Sequence, residues 1–385
     1  MPRWFSIGVT ALVVVGLFLV WLTGSDWANG AVRAGIGALV VGVIVLGAFL
    51  FRFSQGHRAT RTVSLAIASI LLLIIFGTAG LTLQGPIHSL QGGALDGQQK
   101  FPSAVSEYTA AGDTLGLART YNDWGEFLLR RGNYAVPNDP TQTATDGALA
   151  KFTYVLDSKH GFTTSTDPNI QDQVTRAREG FVNTILAWGD VSLNASDYQG
   201  AVARFKLVLD QKNTYGATSG FPKLHQDAAK AYYGLGQQQV TSGDCTDAVA
   251  TYQIVVTDYS DTPQGTQASA DLKKPQSVTG QLVDIQKNAP APNVRLYLTS
   301  NYTQALAGQA APSHDYTTLS DSNGNFAFAN IAPGQTKYLI SYIQGGQELI
   351  IVSRSSGQPD PKYIVQVAPL CATSVGAMPY DLPGA

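Results

Sequence analysis

The spacing of apolar positions changes twice along the chain. Residues 5–23, 34–51 and 63–83 are almost continuously apolar. At 1.5 Å rise per residue each stretch is long enough, as a helix, to cross a hydrocarbon core of roughly 30 Å. Helix is the form expected there, because a segment in lipid must satisfy its own backbone N–H and C=O groups. The pattern predicts three transmembrane helices, a membrane anchor over residues 1–84, with the lipid bilayer as first partner. Arg52, Arg58 and Arg61 flank the second connection, whereas residues 24–29 carry Asp26 and no Lys or Arg. The positive-inside rule then puts the N-terminus and the second connection in the cytoplasm and everything after Leu83 outside. The expected localisation is multi-pass in the cytoplasmic membrane, with extracytoplasmic C-terminal domains. A cleaved signal is disfavoured by the length of the first stretch and the lack of an A-x-A site. Arg33 lies at a helix end, where it can reach the interface, and Ala34, Ala38 and Gly42 form a small-residue face suited to close helix packing.

From about Pro86 the period becomes helical, and the chain aligns on itself. Ala104, Ala148, Ala201 and Ala248 are each followed four residues later by an aromatic: Tyr108, Phe152, Phe205 and Tyr252. Seven residues after each alanine comes Ala111, Val155, Val208 or Val255, so the three positions share one helix face. Upstream of these helices, an aromatic or leucine precedes glycine at Trp124-Gly125, Trp188-Gly189 and Leu235-Gly236. Between the two helices fall the turns Gly132-Asn133-Tyr134, Ser196-Asp197-Tyr198 and Gly243-Asp244-Cys245. Small residues at such turns relieve left-handed backbone strain in a helical hairpin.

This arrangement resembles the tetratricopeptide repeat, over roughly residues 85–274. The resemblance implies an all-α solenoid of helical hairpins, with glycine and alanine letting helices approach while the aromatic fills the gap between them. The alanines are spaced by 44, 53 and 47 residues, more than the family's roughly 34, so loops are expected at 135–146, 158–169 and 212–222. Thr262-Pro263 signals a final short helix. The resemblance also implies a concave face that receives a protein partner. The matching positions are Asn122, Glu126 and Arg130, then Leu186, Asp190 and Asn194, then Tyr233, Gln237 and Thr241. Basic residues are nearly absent from that set, which disfavours an acidic peptide tail as ligand. Trp124 and Trp188 are read as packing residues rather than ligand contacts.

After Lys273-Lys274-Pro275 the period becomes two. Residues 278–284, 294–299, 316–320, 326–331, 337–343 and 348–353 are expected strands of an all-β sandwich, with Asn323-Gly324 as a type I′ hairpin turn. The run Val278-Thr279-Gly280-Gln281-Leu282-Val283-Asp284, then Asn293 to Leu296, Asp321 to Phe326 and Ile331-Ala332-Pro333-Gly334, resembles the carboxypeptidase regulatory-like, prealbumin-like family over residues 275–353. That resemblance implies an accessory or adhesion module without chemistry of its own. Residues 354–385 read as a linker, an edge strand over 363–367 and a weakly ordered tail. Cys245 and Cys371 either form one disulfide or remain two buried thiols; sequence spacing does not choose between them.

Composition narrows the function. A formal charge of −2, from 25 Lys+Arg and 27 Asp+Glu, gives no basic field for nucleic acid. The histidines His57, His88, His160, His225 and His314 show no metal spacing, and Asp321 to Asn325 reads as a turn rather than a calcium loop. Nucleotide and hydrolase signatures are absent. The expectation has no catalytic, cofactor or metal residues: a non-enzymatic, membrane-anchored scaffold whose repeats bind a protein partner. The alternative is a surface recognition module whose sandwich binds a glycan or matrix ligand, with the repeats as spacer.

Overall fold

A computed structural model describes residues 84–134, 147–300, 302, 313–351 and 357–380. The described residues form two compact units, each with its own core. One runs up to Ala187 and includes Asn213–Ser219; the other holds Trp188–Lys212 and everything from Gly220.

In the first unit a helical stretch over 84–97 leads to α1 (Phe101–Ala111), α2 (Thr114–Arg130), α3 (Ala148–Leu156) and the larger part of α4 (Pro168–Asn194). Gly112, in the left-handed region at φ 67°, closes α1, and the Asp113 carboxylate accepts from the Gly116 N–H at 2.8 Å to open α2. Phe152 is fully buried at the centre of this core. It lies against two backbones: a Cβ on Gly125 would come 2.8 Å from its ring, and one on Gly180 only 2.3 Å. Tyr108 is held the same way, with Gly116 at a notional 2.2 Å.

The second unit repeats the device. The end of α4 is followed by α5 (Tyr198–Leu209), α6 (Phe221–Ser242), α7 (Cys245–Asp258) and α8 (Pro263–Leu272). Phe205 fills the space left by Gly189, at a notional 2.2 Å, and Tyr252 that left by Gly236, at 2.4 Å. Ala104, Ala148, Ala201 and Ala248 are all fully buried, as are Val155, Val208 and Val255. Thr262 caps α8, its hydroxyl accepting from the Gly265 N–H at 3.1 Å. The stretch after α3 is more structured than a bare loop: Ser158–His160 form a 3-10 turn and Phe162 enters the core at 2 % exposure. In the same way Lys212–Tyr215 form a helical turn, and Tyr215 stacks on Phe181 at 5.0 Å. Residues 135–146 lie outside the described residues.

The expectation of three transmembrane helices, and with it the multi-pass membrane localisation, needs correction. Among the described residues no helix is long and apolar enough to cross a membrane. The 27 residues of α4 would reach across a bilayer, but they include Asp172, Arg176, Arg178, Glu179 and Asp190. The stretches 5–23, 34–51 and 63–83 lie outside the described residues.

Two open sheets complete the second unit around a shared core. One contains β1 (Gln276–Asp284), the short β2 (Ala289–Pro290), β5 (Asn325–Ile331) and β9 (Thr373–Tyr380); the other contains β3 (Arg295–Thr299), β4 (Tyr316–Leu319), β6 (Lys337–Gln344), β7 (Gln347–Ile350) and β8 (Ile364–Gln366). Val278, Leu282, Phe328 and Met378 from the first meet Leu296, Leu298 and Ile340 from the second. Two expectations are revised. Residues 373–380, read as tail, form β9 and pair in parallel with β1. A bulge hides that strand from a period-two search: Gly376 sits at φ 67°, the register shifts beside it, and the buried residues Val375 and Met378 are three apart instead of two. The 321–325 turn, moreover, is not a type I′ hairpin. Only Gly324 has positive φ, the Gly324 N–H donates to the Asp321 carbonyl at 2.9 Å, and the turn passes the chain from β4 in one sheet to β5 in the other. The Asp321 carboxylate accepts from the Asn323 and Asn325 N–H groups, both at 2.8 Å, so its oxygens serve the turn.

Cys245, at the start of α7, is disulfide-bonded to Cys371, just before β9, with Cα atoms 6.1 Å apart. The bond closes a sequence separation of 126 residues and, by loop-closure entropy, stabilises the native state by about 4–5 kcal/mol. Urea unfolding of the oxidised and reduced chain should therefore differ by that amount, with the reduced form losing stability; equal midpoints would remove the tether from the account. A second test concerns the glycines. In a helix interior Gly→Ala normally gains about 1 kcal/mol. Gly189→Ala is expected to reverse that sign and lower stability by about 1–2 kcal/mol through overlap with Phe205, while Gly97→Ala, with open space around it, stays neutral or stabilises. Thermal unfolding of both variants reads the contrast.

Candidate functional site

The helix positions matched to a concave binding face divide between residues engaged within the protein and residues left exposed. Asn122 is fully buried, and its Nδ2 donates to the Gln173 carbonyl at 2.9 Å. Glu126 accepts from Arg176 Nε at 2.7 Å, and Asp123, one turn away, accepts from Arg176 Nη2 at 2.5 Å. Arg130 lies 3.7 Å from Glu126, and Leu186 is buried. Burial, followed by the neighbouring Asp123 charge, raises the Asp96 carboxyl to about 6. In the second unit Asp190 pairs with Lys223 at 3.0 Å, and Lys223 also donates to Asp227 at 2.6 Å. The Tyr233 hydroxyl donates to Asp271 at 2.7 Å. Asn194, Gln237 and Thr241 remain exposed. Trp124 and Trp188 are half-buried, the first stacked on Phe101 at 5.9 Å and the second under the Arg204 guanidinium at 4.6 Å.

A different place in the second unit leaves a concavity. Its volume is about 310 Å³, near the lower end of small-ligand pockets. Phe221 and His225 are four residues apart and Tyr232 seven further on, so α6 presents them on one face. The last turn of α5 supplies Lys206, Leu209 and Asp210, and Lys212 follows. Tyr259, just past the end of α7, is a buried part of the lining, and the exposed Asp258 borders it. Tyr259 is 4 % exposed. Its ring lies 5.7 Å from that of Tyr232, tilted 37°, and 4.8 Å from the imidazole of His225. His225 Nε2 is 3.0 Å from the Asp261 carboxylate, and Lys206 lies 3.5 Å from Asp210.

The electrostatics of the lining favour neutral phenols. Burial raises the Tyr259 hydroxyl, and Tyr232, Asp258 and Asp210 raise it further. Burial also raises Tyr232, with Lys206 opposing and Asp210 and Asp258 adding. Both hydroxyls therefore stay protonated through neutral pH, as hydrogen-bond donors rather than bases or nucleophiles. The sequence signal for this site is weak. His225 stood among scattered histidines, and Tyr259 continues the buried face of Ala248, Tyr252 and Val255, which marks it for the core and not for a cavity.

The sandwich bears a second, open trough of about 600 Å³ across β5, β1 and β9. Thr279, Gln281, Asn325 and Ser374 line it, and Phe326, which also borders it, is 3 % exposed and turned into the core. Such a lining offers hydroxyls and amides but no open ring face for stacking on a sugar. Among the described residues no group of three or more His, Cys, Asp or Glu is placed to hold a metal ion.

No family model matches the chain, and none of the curated proteins does. Nothing therefore indicates the tetratricopeptide family beyond the residue pattern itself. Among solved structures the chain is similar in part to a 9R-lipoxygenase from Cyanothece PCC8801, at 14 % identity over 38 % of this chain and 24 % of that one. The TM-score of 0.18 leaves that likeness without weight for fold or activity.

The charged face of α6 gives a prediction with a defined sign. Burial alone would raise Asp227, but hydrogen bonds from Lys223 and Lys230 outweigh it and hold the carboxyl below its ordinary range. Its contribution is then complete above about pH 4, the unfolded value, and is lost as pH falls through the lower folded value. Asp227→Asn should cost about 1–2 kcal/mol near neutrality and flatten the acid side of the stability profile. An unchanged acid limb in denaturant titrations would remove Asp227 from that role.

Proposed function

We propose that this chain is a non-enzymatic binding scaffold whose helical hairpins receive a protein partner, with the pocket of Tyr232 and Tyr259 as the anchor point. The observation that carries this reading is the pocket itself. Two tilted tyrosine rings, an imidazole and the Phe221 ring converge on one cavity in the helical part of the second unit. Aromatic anchors in pockets are where protein interfaces concentrate binding energy, and rings give large contact area at low entropic cost. Neighbouring elements are firmly held: Phe205 and Tyr252 lock the helices beside it, and the disulfide fixes the start of α7. A recess on rigid elements is pre-organised, so little ordering cost opposes binding.

The sandwich serves as an accessory module in this reading, because its trough lacks an open ring face. Panning a random peptide library on the full chain tests the proposal. Selected peptides should compete with one another and lose about tenfold or more in affinity on Tyr232→Ala, the loss expected of an interface anchor. Peptides that bind this variant and the parent equally, with circular dichroism showing intact helix, would place the binding surface elsewhere.

A further inference from the structure

We infer that Asp96 is a pH-operated latch: protonated, its carboxyl donates to the Asp123 carboxylate and holds the helical stretch 84–97 on α1 and α2; ionised, it repels Asp123 and frees that stretch. The device lies in the first unit and does not depend on the pocket.

The charges at this contact call for a proton. The Arg176 guanidinium of α4 is already divided between two carboxylates of α2, Asp123 at 2.5 Å and Glu126 at 2.7 Å. Asp96 brings a third, in hydrogen-bond contact with Asp123, and two carboxyl groups so close do not both stay ionised. Asp96 Oδ1 is buried without a hydrogen-bond partner, and the Thr120 hydroxyl beside it is fully buried. An ionised Asp96 would lose water there without gaining a cation of its own. From α1 the Tyr108 ring packs on the same stretch. Burial, then Asp96, Asp113 and Asp123, raise its hydroxyl, with Arg119 opposing, so negative charge predominates around it.

Little else holds the stretch in place. Of residues 84–97 only Gly92 is buried, its backbone against the Tyr108 ring, while Ile87 and Leu90 are 50 % and 73 % exposed. The remaining ties are polar: His88 Nδ1 lies 2.6 Å from Glu107, and the Ser89 hydroxyl donates to Asp113 at 2.9 Å. A segment with so few apolar contacts opens locally at low cost, so one polar contact can govern it.

The sign follows from linkage. Burial, then the Asp123 charge and the hydrogen bond with it, lift the Asp96 carboxyl from its ordinary 3.8 to about 6. The docked stretch thus holds the proton more tightly than the released one. Docking is strongest below about pH 4, weakens as pH rises toward about 6 and stays weak above it.

The test is hydrogen–deuterium exchange of the full chain and of its Asp96→Asn variant, corrected for intrinsic rates. In the parent, protection of amides 89–97 should fall about tenfold or more between about pH 4.5 and 7.5. The variant should keep the acid-side level throughout, because its side-chain amide donates to Asp123 at every pH. Equal slopes in the two chains would overturn the inference. A second measurement needs no variant: in carbon NMR of the parent the Asp96 carboxyl should titrate near pH 6, and a midpoint at its ordinary value would sink the latch. Protection at about pH 7.5 that calcium restores and EDTA removes would put a metal ion between the carboxylates in place of the proton, and would also defeat it.

Discussion

Aromatic rings seated directly on helix backbone hold the helical part of this protein together. Phe152 lies against Gly125 and Gly180, Phe205 against Gly189 and Tyr252 against Gly236, at separations where a single added carbon would overlap the ring. Burying a phenylalanine contributes about 2–3 kcal/mol, yet the more important effect is directional. Each ring fits one gap, so each contact sets the axial register of its helices as well as their distance. Alternative sliding of one helix along another would drive Cβ atoms into rings, and close-packed interiors do not absorb such overlap.

That constraint decides where a binding site forms. Of the positions matched to a concave face, packing takes Asn122 and Leu186 inside and gives Glu126 and Asp190 cations across the gap, while Arg130, Asn194, Gln237 and Thr241 stay exposed. The cavity opens instead beside the end of α5, where the helix stops at Leu209, and beside the end of α7, where Tyr259 turns inward. Tyr259 continues the buried face of α7, four residues after Val255, and meets Tyr232 only because α6 packs beside that face. The electrostatic character follows from the same packing: burial holds both phenols neutral, with Asp258 and Asp210 adding at Tyr259 and Lys206 opposing them at Tyr232.

The sandwich shows a parallel logic on a different scaffold. Its core is continuous between two sheets, and the strand that completes one of them comes from the end of the chain, paired in parallel with β1. The Cys245–Cys371 bond anchors the approach to that strand at the start of α7. One covalent link thus restrains a helix terminus and a sheet edge together, both within the second unit.

The sequence by itself determined which residues would be buried on the helices, because the alanines at 104, 148, 201 and 248 and the aromatics four residues on follow from a single period that any amphipathic helix must obey. It also located the change to strand, between Leu272 and Gln276, where the period falls to two. Three apolar stretches near the N-terminus obey a length rule too, but they lie outside the described residues, and no helix among the described residues is both long and apolar enough to cross a membrane. Only the tertiary structure decided the rest. A bulge at Gly376 removes the alternation by which β9 could be read, a sheet-to-sheet corner replaces the hairpin at Asn323-Gly324, and distance in space joins Cys245 to Cys371. The pocket belongs to this second group for the same reason: Lys206, Tyr232 and Tyr259 come from three helices, and no local pattern encodes contacts that exist only after those helices have packed.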